Sequence, residues 1–349
     1  MQIVIKNFIS SKEAAQKWNI SQKRVVSLCK ENTIQGAILV GESWFIPANA
    51  EKPSDKSAPK PFVKWAGGKS RLIPELEKRM GAVCGRVFTK YAEPMVGGGA
   101  FLFYNLSKSR FEEFYISDIN AELINCYVAI KENVENLIVK LRKMQDEFLK
   151  LSEKDRKTYY FEIRDKFNTI ELNDVTKFEK AAYFIFLNKT CFNGLYRVNK
   201  EGLFNVPMGK YKHPNILDED NLRNVSSVLQ YVRIVCGDYS LAETFIDRNT
   251  VVYIDPPYRP LSKTSCFTAY NSETFDDGEQ IRLADFVDKI SGKGAKILMS
   301  NSDPKNENPQ DEFFNNLYGD YNIDSVEVNR TINSDASKRG EIKELIIYN

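Results

Sequence analysis

Among 349 residues there is a single histidine, His213. That scarcity excludes a histidine-based triad and a multi-histidine metal site, and it points to chemistry needing little proton shuttling at neutral pH. The six cysteines (Cys29, Cys84, Cys126, Cys191, Cys236 and Cys266) are scattered, with no C-x-x-C pair. They supply neither a zinc site nor a disulfide framework, so reduced thiols in a cytosol are expected. No apolar run approaches membrane-spanning length, and Met1–Lys6 lacks the layout of a signal peptide. The expectation is a cytoplasmic protein with no membrane partner and no metal. One sign of charge is not in excess either: 49 basic against 47 acidic side chains leave +2, so a polyanion partner has to be argued from where the charges sit. Internal repeats and low-complexity tracts are absent. What remains, 42% hydrophobic and 28% charged residues, suits a large globular domain accompanied by a small one.

The most informative segment is Asp255-Pro256-Pro257-Tyr258, directly after the apolar run Val251-Val252-Tyr253-Ile254. Two prolines stiffen the backbone and offer carbonyls without a competing N–H. A carboxylate beside a free carbonyl can accept both hydrogens of a planar amino group, and a tyrosine just beyond offers a stacking face. The arrangement suits a flat exocyclic amine such as that of a nucleobase. A rigid turn with Tyr258 packed beneath it fits the same four residues, so the rest of the chain must decide.

Glu93-Pro94-Met95-Val96-Gly97-Gly98-Gly99 follows one strand-like run and precedes a helix-like one, as a tight turn approaching a ligand would. Asp118 ends the next strand-like run, at the spacing where nucleoside-binding folds place an acceptor for ribose hydroxyls. Upstream, Lys64-Trp65-Ala66-Gly67-Gly68-Lys69 is a second glycine loop without P-loop spacing, whose Lys69 could pair with a carboxylate. Asp238 and Tyr239 close a further strand, where Asp238 could meet a cofactor adenine or simply cap a helix. From Lys189 to Lys212, five basic residues oppose the single acid Glu201, interleaved with Asn and aromatics as on a nucleic-acid surface.

Residues 1–48 read as a separate module. Ser10 and Glu13 form a capping box, Ser21 caps a second helix, and Ala37–Val40 with Ser43–Pro47 alternate as a two-stranded hairpin. This resembles the winged helix-turn-helix modules of excisionases, with Lys23 and Arg24 opening the recognition helix; a protein-interaction or stability module fits as well. Residues 49–61 are polar and proline-rich, a linker. Beyond them, seven strand candidates (Tyr91–Glu93, Glu113–Ile116, Tyr231–Val235, Thr250–Ile254, Ala295–Met299, Ile323–Val328 and Glu344–Tyr348) alternate with helical patterns, the mark of an α/β sheet. The expected divisions are 62–130 with 230–349 for the sheet domain, and 131–229 for a mostly helical insertion.

From about Pro61 onward these motifs resemble the Dam-type (D12-class) DNA adenine-N6 methyltransferases. The resemblance rests on Lys64–Lys69, Glu93–Gly99, Asp118, Asp255–Tyr258, Phe192-Asn193-Gly194-Leu195-Tyr196-Arg197 and Phe204-Asn205-Val206-Pro207-Met208-Gly209-Lys210-Tyr211. It implies a Rossmann-like methyltransferase sheet with an inserted target-recognition domain, S-adenosyl-L-methionine as donor, and double-stranded DNA as substrate. It also implies a site-specific adenine methyltransferase acting at GATC. Asp255, Pro256 and Tyr258 would then be catalytic. Trp65, Lys69, Glu93, Pro94, Met95, Gly97, Gly98, Gly99, Asp118, Asp238 and Tyr239 would surround the cofactor. On the DNA side, Arg197 would read a guanine, Leu195 and Pro207 would make apolar contacts, Asn193 would sit near the flipped-base gap, and Lys189 and Lys210 would hold phosphates. Lys263 would belong to a loop closing over the target base with Phe267, Tyr270 and Phe275.

Two features depart from the family pattern: Met95 stands where phenylalanine is usual, and the N-terminal module lies outside the common core. A restriction endonuclease acting on the same site is a partner the reading allows. Transfer to cytosine N4 or to RNA stays open, because the clamp alone does not separate the bases. So does a DNA-binding regulator with an inert methyltransferase domain. A nicotinamide dehydrogenase has nothing here to handle hydride and proton.

Overall fold

The seven strand-like runs beyond residue 62 all pair into one sheet in the computed structural model of the protein. Residues 7–18, 22–30, 34, 36–50, 58–82, 87–259, 275–329 and 341–349 are described. The chain forms two compact units, Met1–Ser57 and Ala58–Asn349.

In the small unit, strand β1 (Phe8–Ser10) leads into helices α1 (Ser11–Trp18) and α2 (Gln22–Lys30), then strands β2 (Ile38–Val40) and β3 (Ser43–Pro47). The capping box forms as expected: the Glu13 carboxylate accepts from the Ser10 N–H at 2.7 Å, and the Glu13 N–H donates to Ser10 Oγ at 3.3 Å. Ala14, Trp18, Val25, Leu28 and Ile46 are buried together. The sheet has three antiparallel strands in the order β1-β3-β2, one more than the expected hairpin, because Phe8–Ser10 is too short to show a period. Ser21 and the side chains of Lys23 and Arg24 lie outside the described residues.

The large unit runs α3 (Ile73–Ala82), β4 (Lys90–Glu93), α4 (Ala100–Lys108), β5 (Glu113–Asp118), α5 (Ala121–Lys150), α6 (Glu153–Thr169), α7 (Lys177–Thr190), α8 (Glu219–Leu229), β6 (Val232–Cys236), β7 (Thr250–Ile254), α9 (Asp277–Gly292), β8 (Lys296–Ser302), α10 (Phe313–Leu317), β9 (Asn322–Asn329) and β10 (Glu341–Tyr348). The sheet order is β6-β5-β4-β7-β8-β10-β9. The first five strands are parallel, and β10 pairs antiparallel with both β8 and β9.

Period-two alternation decides which face each strand residue serves. Tyr91, Val251 and Tyr253 join one core with helical residues such as Leu137, Phe186 and Leu222. Ala92, Val252 and Ile254 face the other, with Phe286, Met299 and Phe314. Burial on both faces explains why β7 reads as an unbroken apolar run. The expected boundary at residues 130–131 falls within α5, near Asn133 (φ −155°, ψ 79°), where the helix breaks. Asn133 Oδ1 accepts from the Asn136 N–H at 3.1 Å and caps the second half.

Adjacent parallel strands end on the same edge of a sheet, and each carries an acid there. Glu93 ends β4, Asp118 ends β5, Asp238 lies two residues past β6, and Asp255 follows β7.

Candidate active site

Asp255 is the focus of this edge. Its Oδ1 accepts Lys69 Nζ at 2.9 Å and Ser300 Oγ at 3.0 Å. Burial pushes the Asp255 carboxyl up, opposed by the Lys69 charge and these two hydrogen bonds. Lys69 is buried, donates to the Gly67 carbonyl at 2.7 Å, and lies 4.6 Å over the Tyr258 ring. Lys69, expected to pair with a carboxylate such as that of a cofactor, pairs here with the clamp's own acid. Pro256 is buried and Tyr258 half-buried. Gln280 Nε2 donates to the Pro257 carbonyl at 3.2 Å and holds the turn onto α9.

Glu93 is buried and accepts the Tyr91 hydroxyl at 2.6 Å. Burial, with the nearby Asp255 charge adding to it, pushes its carboxyl up to about 8, so at neutral pH it keeps its proton. Pro94 is buried, with its carbonyl accepting Ser117 Oγ at 3.3 Å. Met95 packs against the core beneath the edge.

The glycine loop turns through left-handed conformations at Gly97 (φ +47°) and Gly99 (φ +69°). Its need for glycine has a second cause. A Cβ at Gly97 would stand 2.8 Å from the Trp65 ring, and one at Gly98 would stand 2.9 Å from Trp65 Cβ. Trp65 lies over this loop and stacks on Tyr196 at 5.9 Å. The loop is tied to Asp118, whose Oδ2 accepts the Gly97 N–H at 3.0 Å while Oδ1 accepts the Asn120 N–H at 2.9 Å. Burial raises the Asp118 carboxyl, opposed by the backbone N–H groups of Asn120, Gly97 and Ile119, and of about four acceptor positions this leaves one for a hydroxyl. A glycine turn beside a two-armed acceptor on a parallel sheet edge suits a nucleoside-bearing cofactor.

Asp238 takes the capping role, one of the two uses its position allows. It caps the turn Tyr239–Thr244 through the Ser240 N–H at 3.0 Å, and Arg282 grips it at 2.8 and 3.2 Å. The hydrogen bond from Arg282 is the main cause that holds its carboxyl down to about 2. Tyr239 is a core residue, edge-on to Phe286 with the Arg282 guanidinium over its ring.

The basic, aromatic segment forms a two-armed loop after α7. Cys191 pairs with Met208 and Val198 with Phe204, and the Phe192 N–H donates to the Pro207 carbonyl at 2.9 Å. Asn193 takes a left-handed conformation (φ 54°) and is exposed, as are Pro207 and Lys210. Leu195 packs against the core, and Arg197 Nε donates to Asn205 Oδ1 at 2.7 Å across the arms. Lys189 is half-buried, and burial together with the Lys64 charge lowers its ammonium. Lys263, Phe267 and Tyr270 lie outside the described residues; Phe275 packs against the core.

Two residues that carry no motif join these parts. Asn188, buried on α7, accepts the Lys64 N–H at 2.7 Å and donates to the Lys64 carbonyl at 2.8 Å and the Gly194 carbonyl at 3.1 Å. It fastens the Lys64–Lys69 loop to the two-armed loop. Ser300, on β8, reaches Asp255. Asn188 is followed by Lys189 and Thr190, and Ser300 by Asn301 and Ser302, so neither stands out in the sequence from its polar neighbours.

A mostly parallel α/β sheet with these loops at one edge is consistent with a methyltransferase fold. The comparison with known proteins narrows it. The family described as D12 class N6 adenine-specific DNA methyltransferase matches residues 65–332. A Type II methyltransferase, M.MjaIII of Methanocaldococcus jannaschii, is 48% identical over 293 residues, covering 83% of this chain and 99% of that protein. The Type II methyltransferase M1.LlaDCHI of Lactococcus lactis subsp. cremoris is 37% identical, covering 83% and 95%. The DNA adenine methylase of Haemophilus influenzae is 35% identical, covering 82% and 92%. The chain belongs to the D12 class of N6 adenine-specific DNA methyltransferases. The match begins at residue 65, so the small N-terminal unit lies outside it.

Proposed function

We propose that this protein transfers a methyl group from S-adenosyl-L-methionine to N6 of adenine in duplex DNA, at GATC, with the target base flipped out of the helix. The observation that carries the reading is Asp255 at the carboxyl end of β7, one oxygen anchored by Lys69 and Ser300, on the same edge as the glycine loop. S-adenosyl-L-methionine, when bound, supplies an electrophilic methyl on a sulfonium. Gly97, Gly98 and Gly99, with Asp118, would hold it, and Met95 and Trp65 would flank it.

An adenine amine inside a duplex is out of reach, so the base is extruded at a cost of a few kcal/mol in lost stacking and pairing. Tyr258 receives its ring, while the Asp255 carboxylate and the Pro256 carbonyl accept the two amine hydrogens. Those bonds direct the nitrogen lone pair and favour its localisation, so rate comes from positioning and electrostatics. The scarcity of histidine agrees with a reaction needing no neutral-range base before transfer. Asn193, Leu195, Arg197 and Pro207 on the two-armed loop read the site, Arg197 toward a guanine edge and the others by shape and apolar contact. Lys189, Lys210 and Lys263 meet the backbone. The small N-terminal unit, with helices and a three-stranded sheet, acts as a second DNA contact. A restriction endonuclease cutting the same site is a compatible partner.

The test is Asp255→Ala, with cofactor and DNA binding measured beside transfer. The variant should bind both and transfer no methyl; wild-type turnover would refute the clamp.

A further inference from the structure

We infer that Ser300 and Tyr253 are positioning residues for the reaction: a buried chain of hydroxyls that turns the Asp255 carboxylate so that Oδ2 faces the amine. The inference rests on Asp255 being the acceptor of the target amine.

The geometry comes from the strand register. In the parallel pair β7–β8, Tyr253 lies opposite Leu298 and Ile254 opposite Met299, which brings Ser300 level with Asp255 one step further. Tyr253 and Asp255, two residues apart, lie on the same side of β7. The Tyr253 hydroxyl is 2.8 Å from Ser300 Oγ, and Ser300 Oγ is 3.0 Å from Asp255 Oδ1. Both Tyr253 and Ser300 are buried, with 1% and 0% exposure, so no solvent competes for these bonds.

The direction of the chain follows from the inventory of donors. An ionised carboxylate only accepts, so Ser300 spends its one proton on Asp255. Its oxygen must then accept, and Tyr253 is the donor. Lys69 supplies the second bond to the same oxygen at 2.9 Å. Oδ1 therefore carries two anchors, and Oδ2 accepts from none of the described residues. A carboxylate fixed through one oxygen is held in rotation, and its other oxygen becomes a directed acceptor. Swinging it by an ångström is the sort of misplacement that costs roughly a hundredfold in rate.

A parallel arrangement stands on the neighbouring strand. Tyr91 and Glu93, also two apart, bond at 2.6 Å with no serine between. On β7 the register with β8 places Ser300 between the two residues.

The test uses the full-length protein and three variants: Ser300→Ala, Tyr253→Phe, and the two together. Single-turnover methyl transfer to duplex DNA is measured with the affinities for S-adenosyl-L-methionine and DNA and the melting temperature. Ser300→Ala should slow transfer by about 30-fold and Tyr253→Phe by about 5-fold, with both affinities within about 3-fold of wild type. Because Tyr253 acts through Ser300, the double variant should be no slower than Ser300→Ala alone. A merely structural role predicts parallel loss of affinity and melting temperature, and multiplying effects in the double variant; either result overturns the inference. Wild-type protein that transfers methyl, with Ser300→Ala equally fast, overturns the relay while leaving the proposed function standing. A wild type that transfers none overturns the function, and the relay with it.

Discussion

Replacing Asn188 by alanine removes the fastening between the Lys64–Lys69 loop and the two-armed loop. Three hydrogen bonds go at once: from the Lys64 N–H, and to the carbonyls of Lys64 and Gly194. Each neutral bond is worth about 1 kcal/mol net, so the loss is at least about 3 kcal/mol, and backbone groups left buried without a partner add to that. For a folded unit of this size that corresponds to a fall of roughly 6–12 °C in melting temperature. Activity should suffer beyond stability. Lys69 and Trp65 belong to the released loop, so transfer measured well below the melting temperature should drop by roughly 10–100-fold. Asn188→Asp separates the contributions: it keeps the acceptor for the Lys64 N–H and loses both donated bonds. It should fall below wild type in stability. Thermal unfolding followed by circular dichroism, with single-turnover transfer at 25 °C, reads both effects. An Asn188→Ala protein melting within about 2 °C of wild type and turning over normally would refute the reasoning.

Gly97→Ala puts a methyl 2.8 Å from the Trp65 ring at a left-handed φ of +47°, a strain of about 1–3 kcal/mol, and should weaken cofactor binding measured by calorimetry. Lys69→Met removes the charge that opposes burial at Asp255, so the carboxyl rises further and the acid limb of the pH–rate profile should move to higher pH. An unmoved limb would show that Asp255 does not control it. Glu93→Gln tests the buried acid. The native Glu93 keeps its proton up to about pH 8, whereas the unfolded chain releases it near the ordinary carboxylate value. The stability this group contributes is therefore complete at low pH and is lost as pH rises toward 8. Denaturant unfolding should show a shallower decline with pH for the variant over that range, and identical slopes would contradict it.

The strands were readable because strands buried on both faces leave continuous apolar runs, as in Val251–Ile254 and Leu345–Ile347. The glycine loop and the acid after β7 were readable because few backbones need those residue types in that order. What escaped depended on partners distant in sequence. Ser300 is 45 residues from Asp255, and only the register of β7 and β8 unites them. Lys69 reads as a partner for a carboxylate, and the carboxylate it meets is Asp255, across 186 positions of chain. At Asp238 the Ser240 N–H and the distant Arg282 hold the carboxylate, the capping use that the sequence offers beside an adenine contact. Strand β1 was too short for any period to register.

The central claim is tested most directly by offering the protein labelled S-adenosyl-L-methionine and two duplexes, one containing GATC and one with that tetramer scrambled. The account predicts label in the GATC duplex alone, recovered as N6-methyladenine. Equal label in both duplexes would contradict the site, and no label in either, with DNA still bound, would contradict the enzyme.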